Sequence, residues 1–316
     1  MSDEFYYQLH HRCDLNLLEL DNELLENLKF PQINDEFGII YRRNPYYYKK
    51  VIKILIDQME KCDTIDEEIG EWLYEEYVKL ISEDTKVKQA LNPTFKDIVR
   101  YEFGNERLKI EMEETPNVIS GNGTTGLRTW EAALYMILYL LEHPVRGNVV
   151  EIGAGTGMVS IGIMKMQGQN ISSVLVTDGD EYVANKQLPK NFQLNGIVDD
   201  TRVKFQKIRW NEDHLVNGDG PNVDYLVGAD VTYDVSVLDD LVCCIEEIMA
   251  EGVRECLISA TRRNPETLLE FERLLVANGL QWEVVSDSTM DCPELQALLN
   301  RPMIGPILIY SITKQE

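Results

Sequence analysis

The sequence predicts an α/β protein: a doubly wound sheet preceded by a helical region. Three observations carry this. From Gly121 onward, short apolar runs alternate with amphipathic stretches of helical length. One junction, "EIGAGTGMVSIG" (Glu151 to Gly162), reads as a strand end, a glycine turn and the opening of a helix. Up to about Ile119, by contrast, apolar residues recur at three and four, with charge on the opposite face.

In chain order, "DLNLLELDNELLENLKF", "YYYKKVIKILIDQMEKC" and "EEIGEWLYEEYVKLI" predict helices. "IVRYEFGNERLKIEMEE" alternates around Gly104-Asn105 and predicts a β-hairpin. Strands follow at "NVVEIG", "SSVLVTD", "RVKFQKI", "VDYLVGAD", "ECLISAT", "QWEVVS" and "GPILIYSIT". Helices are expected after Thr156, from about Glu181, from about Val235 and from Pro265. The last two strands have no obvious helix between them, which places an antiparallel strand at one side of the sheet. The expected division is 1–120, helical with a hairpin, and 121–316, the α/β domain.

With 54 acidic against 30 basic residues the formal net charge is −24, and no basic run interrupts it. Phosphate backbones repel such a surface, so direct nucleic-acid binding is not expected, whereas a basic protein partner is easily accommodated. Six scattered cysteines without a CxxC pair, and four histidines without an i, i+4 pair, argue against a metal site or a disulfide framework. The acidic start is no signal peptide, and "AALYMILYLL" is too short to span a bilayer, so it reads as a buried helix. A cytoplasmic protein without membrane attachment is the expectation.

The glycine turn suits a dinucleotide or S-adenosylmethionine, since both place a ligand against a helix N-terminus. Its glycines are Gly153, Gly155 and Gly157, a GxGxG spacing, and Met158 stands where the dinucleotide fingerprint needs its third glycine. Glu151 lies two residues before the turn. Asp178 ends the second strand, where a carboxylate can accept hydrogen bonds from both ribose hydroxyls or instead cap the next helix. The fourth strand ends in Asp230-Val231-Thr232-Tyr233, at the carboxyl edge where open α/β sheets place chemistry. Asp230 could equally cap the helix that follows.

The turn "EIGAGTG" together with Asp230-x-x-Tyr233 resembles the Rossmann-like seven-strand methyltransferases, many of which methylate protein lysines. "GTTGLRTWEAALY" and "ATRRNPETLLEF" bring the resemblance closer to the lysine methyltransferases of translation elongation factor 2. It covers roughly Thr124 to the C-terminus; the acidic N-terminal helices match in character and place only. It implies S-adenosyl-L-methionine as cofactor, bound by Gly153, Ala154, Gly155 and Asp178. Trp130 and Trp210 would border its methionine and adenine ends, though either could simply pack the core, and the small Ala229 would let the strand backbone approach the adenine edge. Asp230 would orient the substrate amine and Tyr233 would wall the lysine channel. Whether either is a general base stays open on sequence alone. Two departures stand out: Pro189 within "EYVANKQLPKNFQLN" should kink or break that helix and unsettle Asn191 and Asn195, and the basic Arg262-Arg263 pair has no evident role.

The reading is therefore a protein-lysine methyltransferase acting on elongation factor 2. The alternatives are the same chemistry on another protein or a small molecule, and a non-catalytic binding module keeping the cofactor fold. An NAD dehydrogenase fits least, given Met158 and no evident hydride-transfer acid.

Overall fold

The computed structural model describes residues 2–18, 20–61, 66–82, 84–104, 108–116, 125–210, 212–214, 223–289, 292–299 and 303–314. Cys62, Asn105 of the expected hairpin turn and the expected boundary at 120/121 lie outside them. By its contacts the chain divides into Met1–Arg100 with Glu114–Val118, and Tyr101–Glu113 with Ile119–Glu316.

The first unit is built from α1 (Ser2–His10), α2 (Asn22–Asn27), α3 (Phe30–Arg43), α4 (Pro45–Met59), α5 (Glu67–Ser82) and α6 (Asp84–Gln89). The leucine spacing of residues 14–30 predicts one helix, but only its second half forms one. Asp14 accepts the Asn16 N–H at 3.0 Å, and its carbonyl accepts the Leu17 N–H, which turns the chain locally. Asp21 then caps α2 by accepting the Leu24 N–H at 2.7 Å. Asn44 caps α4 in the same way, through the Tyr47 N–H, and Pro45 fits the first turn where no donor is needed. Phe5, Leu9, Ile33, Phe37, Tyr48, Ile52 and Leu73 form the apolar core. A buried ion pair sits beside it: Arg12 grips Asp97 with two bonds of 2.9 Å, and the Asn44 amide donates to the same carboxylate at 2.6 Å.

Both strands of the predicted hairpin are present, β1 (Asp97–Phe103) and β2 (Leu108–Glu114), and pair in a two-stranded sheet. Next come α7 (Glu131–Glu142), β3 (Gly147–Ile152), α8 (Met158–Gln167), β4 (Ile171–Asp178), α9 (Leu188–Leu194), β5 (Val203–Lys207), β6 (Tyr225–Ala229), α10 (Leu238–Ala250), β7 (Glu255–Thr261), α11 (Pro265–Ala277), β8 (Leu280–Asp287), α12 (Pro293–Ala297) and β9 (Ile307–Lys314). All seven predicted strands are present in one sheet, in the order β5-β4-β3-β6-β7-β9-β8. β9 runs antiparallel to both neighbours and lies one strand in from the edge, and the remaining pairs are parallel. The short α12 between β8 and β9 corrects the expectation of a helix-free connection.

Both faces of the sheet are covered. Val150, Ile152, Leu226 and Ile258 join α10 and α11 in one apolar cluster. The intervening Val149, Val227 and Leu257 are also buried; side chains alternate along a strand, so they face the opposite side, where α7 packs on α8 and the central strands. The near-continuous apolar runs of β3, β6 and β7 follow from this two-sided burial.

Pro189 does not break its helix. Val183–Gln187 forms one turn of π-helix, in which the Leu188 N–H reaches the Val183 carbonyl, and α9 continues with Pro189 in its first turn. Widening the helix there removes the clash that a proline ring has with the carbonyl four residues back. Asn191 and Asn195 therefore keep one face. Asn191 accepts the Glu113 N–H at 2.9 Å and donates to the Glu113 and Thr156 carbonyls; Asn195 accepts the Glu111 N–H and donates to the Glu111 carbonyl. These amides satisfy backbone groups of β2 as a neighbouring strand would.

Candidate active site

β3 delivers the chain into a turn whose backbone excludes most side chains. Gly153 and Gly155 lie at φ +62° and +53°, in the left-handed region. A Cβ on Gly153 would stand 2.6 Å from Val231 Cγ1, and one on Gly155 would stand 3.3 Å from Gly126 Cα. Between them Ala154 is buried, and its N–H donates to the Thr177 carbonyl at 2.9 Å. Glu151, fully buried at the end of β3, accepts the Ser160 N–H of α8 at 3.0 Å. Burial pushes its carboxyl up to about 8, against the pull of that Ser160 bond.

Asp178 ends the neighbouring β4 and is tied to the turn. Its Oδ2 accepts the Gly155 N–H at 2.9 Å and its Oδ1 accepts the Asp180 N–H at 2.9 Å. Asp180, not Asp178, caps the following helix, by accepting the Val183 N–H at 2.9 Å. Desolvation raises the Asp178 carboxyl, and the two N–H bonds oppose this. Each carboxylate oxygen carries two lone pairs, so Asp178 keeps acceptor capacity toward the space beyond the turn.

At the end of β6, Ala229 leads into Asp230, a non-glycine residue at φ +58°. Its strain is compensated by its surroundings: the Asp230 N–H donates to the Ser259 carbonyl at 2.8 Å, and Arg263 donates to both carboxylate oxygens at 3.1 and 2.5 Å. The helix-cap alternative for Asp230 is filled by Asp234, which accepts the Ser236 N–H. Burial raises the Asp230 carboxyl, Arg263 draws it back down, and nearby Glu131 adds to the rise. Tyr233 is 51% exposed at the rim, where its hydroxyl accepts from the Thr125 hydroxyl at 3.4 Å.

Trp130 immediately precedes α7 and is half-buried, its ring fixed by an Nε1–H donation to the Thr125 carbonyl at 3.0 Å. The Arg128 and Arg263 guanidinium carbons lie 3.8 and 5.0 Å from the ring centroid. Trp210 follows β5 and faces Gly153; its ring carbon Cζ2 is 3.4 Å from where a Cβ on that glycine would stand.

One cavity of about 810 Å³ gathers these pieces. Trp130, Gly153, Ala154, Gly155, Asp178, Trp210, Ala229, Asp230 and Tyr233 all line it. That volume lies in the range of small-molecule sites. A glycine turn, a carboxylate with spare acceptors at a strand end and two indole rings accommodate a ribose, an adenine and an amino-acid tail carrying a cationic sulfur. Sequence reasoning missed Arg128, Asp180, Asp240 and Arg263, which line the same cavity. The signals present were a charge beside Trp130 in "GLRTW" and an unexplained basic pair after an apolar strand.

The lysine methyltransferase family model matches residues 105–275. The chain is similar to the protein-lysine N-methyltransferase EFM3 of Saccharomyces cerevisiae, at 38% identity over 99% of both chains. It also resembles EFM3 of Chaetomium thermophilum, at 36% identity over 61% of this chain and 58% of that one. The human protein-lysine N-methyltransferase EEF2KMT is 30% identical over 55% of this chain and 57% of its own. The chain belongs to the lysine methyltransferase family, and it is an S-adenosylmethionine-dependent protein-lysine N-methyltransferase.

Proposed function

We propose that the cavity performs this transfer on a lysine of translation elongation factor 2. The substrate assignment is supported by the resemblance of "GTTGLRTWEAALY" and "ATRRNPETLLEF" to the methyltransferases of that factor, and by the human relative's name, which contains its abbreviation. In this reading Gly153, Ala154, Gly155, Asp178, Trp130, Trp210 and Ala229 hold the cofactor, and Asp230 with Tyr233 receives the lysine. We assign 121–316 to the methyltransferase domain and 1–120 to a helical region with the hairpin, whose residues Tyr101–Glu113 group by their contacts with Ile119–Glu316.

The cofactor supplies a methyl group already activated on a sulfonium, so the protein's contribution is alignment and exclusion of water. The lysine amine must be neutral to attack, and its ordinary pKa is about 10.4. Asp230 accepts a hydrogen bond from the amine and aims its lone pair inward, while the proton leaves to water. Tyr233, at the rim beside Thr125, lines the entrance for the aliphatic stem. The single observation that carries the assignment is the buried Asp230 carboxylate, at the mouth of β6, in the same cavity as the glycine turn.

The test is incubation of the purified protein with labelled S-adenosylmethionine and an extract of cells lacking this enzyme, followed by identification of the labelled proteins. Elongation factor 2 labelled on lysine is the expected result. Label concentrated on a different protein would transfer the substrate assignment to that protein.

A further inference from the structure

Arg263 is placed with unusual care for a residue outside the glycine turn and the Asp-x-x-Tyr segment. The Arg262 N–H donates to the Pro306 carbonyl at 2.8 Å, and the Arg263 N–H to the Thr261 carbonyl at 2.9 Å, so the chain leaving β7 is pinned. One residue later Asn264 caps α11 by accepting the Glu266 N–H at 3.0 Å, with Pro265 in the first turn. The guanidinium thus leaves a backbone fixed on both sides. It forks onto Asp230 with two bonds, lies 3.9 Å from Glu131 Oε2 and 5.0 Å from the Trp130 ring centroid. Its side chain is 27% exposed, against 6% for Asp230.

We propose that Arg263 is a positioning residue for methyl transfer: it holds both oxygens of the Asp230 carboxylate in one orientation beside a fixed cation, ready to receive the substrate amine. The fork consumes one lone pair on each Asp230 oxygen and leaves the outer ones free to accept from the amine, so the guanidinium need not be displaced. A planar guanidinium fixes both oxygens at once, which a lysine in its place would not do. The charges facing Asp230 come from α7 and from the segment after β7: Glu131 disfavours its ionised form and Arg263 favours it. Without Arg263, burial and Glu131 act unopposed by a cation, and Asp230 holds its proton to higher pH. A protonated Asp230 donates where it must accept, so the acidic limb of the rate profile moves to higher pH.

This inference rests on the reading of Asp230 as the amine acceptor, and two independent measurements separate their failures. The first is single-turnover methylation of purified elongation factor 2 by wild type, Arg263→Gln and Arg263→Lys across the neutral and alkaline range, beside calorimetric titration with S-adenosylhomocysteine. Arg263→Gln should lose about 10- to 100-fold in rate, with its acidic limb shifted to higher pH, cofactor affinity within about 3-fold of wild type, and partial rescue in Arg263→Lys. The second needs no substrate: carboxyl-labelled aspartate spectra titrated in the S-adenosylhomocysteine complex, with the Asp230 signal identified by its loss in Asp230→Asn. Its midpoint should rise in Arg263→Gln. An unmoved midpoint overturns the inference whatever the rates do, as does a loss of cofactor affinity parallel to the loss of rate. A raised midpoint with no methylation of elongation factor 2 by wild type leaves Arg263's role standing and removes the substrate assignment instead.

Discussion

The N–H of Gly155 donates to Oδ2 of Asp178 at 2.9 Å, so the turn after β3 is fastened to the last residue of β4. One carboxylate both shapes the turn and faces the cavity the turn borders. Asp178→Ala therefore removes two functions together. We expect S-adenosylhomocysteine affinity to fall about 10- to 100-fold by calorimetry, the scale of a hydrogen bond to a charged group. Wild-type affinity in this variant would mean that the ribose is held elsewhere.

Gly153→Arg should abolish cofactor binding while the far-ultraviolet dichroism stays native. A side chain at φ +62° meets Val231 Cγ1 at its first carbon, and its remainder has only the cavity to occupy. Retained stabilisation of this variant by S-adenosylhomocysteine in a thermal melt would place the cofactor away from the turn.

Glu151 gives a pH signature. Its carboxyl titrates near 8 in the fold and near the ordinary 4.5 when unfolded, so between those values the native state binds the extra proton. Its stabilising contribution is therefore fully present below about 4.5 and is lost as pH rises through about 8. The slope it adds is at most about 1.4 kcal/mol per pH unit. Denaturant unfolding of Glu151→Gln at several pH values should show that slope removed; parallel curves for the two proteins would contradict the buried, raised carboxyl.

Asn191→Ala should destabilise the protein by about 1–3 kcal/mol, because it leaves the Glu113 N–H and C=O without the amide that pairs them inside the fold. Urea unfolding measures this. A change within a few tenths of a kcal/mol would show that the Asn191–β2 bonds carry no net stability.

The seven strands and the glycine turn were legible because their signals are local. Apolar runs such as "NVVEIG" end in glycines that only a tight turn requires, and two-sided burial leaves little polar alternation to confuse them. The leucines of residues 14–20 carried a helical spacing too, yet Asp14 and Asp21 make side-chain bonds to the backbone that turn the chain first. At Pro189 the sequence shows the clash but not its relief, since a single π turn depends on how the helix packs. The Asp230–Arg263 fork joins positions 33 apart, with α10 and β7 between them, so spacing could flag a basic pair but could not give its partner. α12 is too short for periodicity to register.

The central claim is that methyl transfer occurs at Asp230, at the mouth of β6. The measurement that meets it most directly is single-turnover methylation of elongation factor 2 by Asp230→Ala, with Tyr233→Phe beside it and S-adenosylhomocysteine affinity taken on the same preparations. Removing the carboxylate that aligns the amine should cost on the order of 100-fold in rate and leave most of the cofactor affinity, and Tyr233→Phe should lose less. Near-normal turnover in Asp230→Ala would contradict the claim, and a parallel collapse of cofactor affinity would assign Asp230 to the cofactor instead.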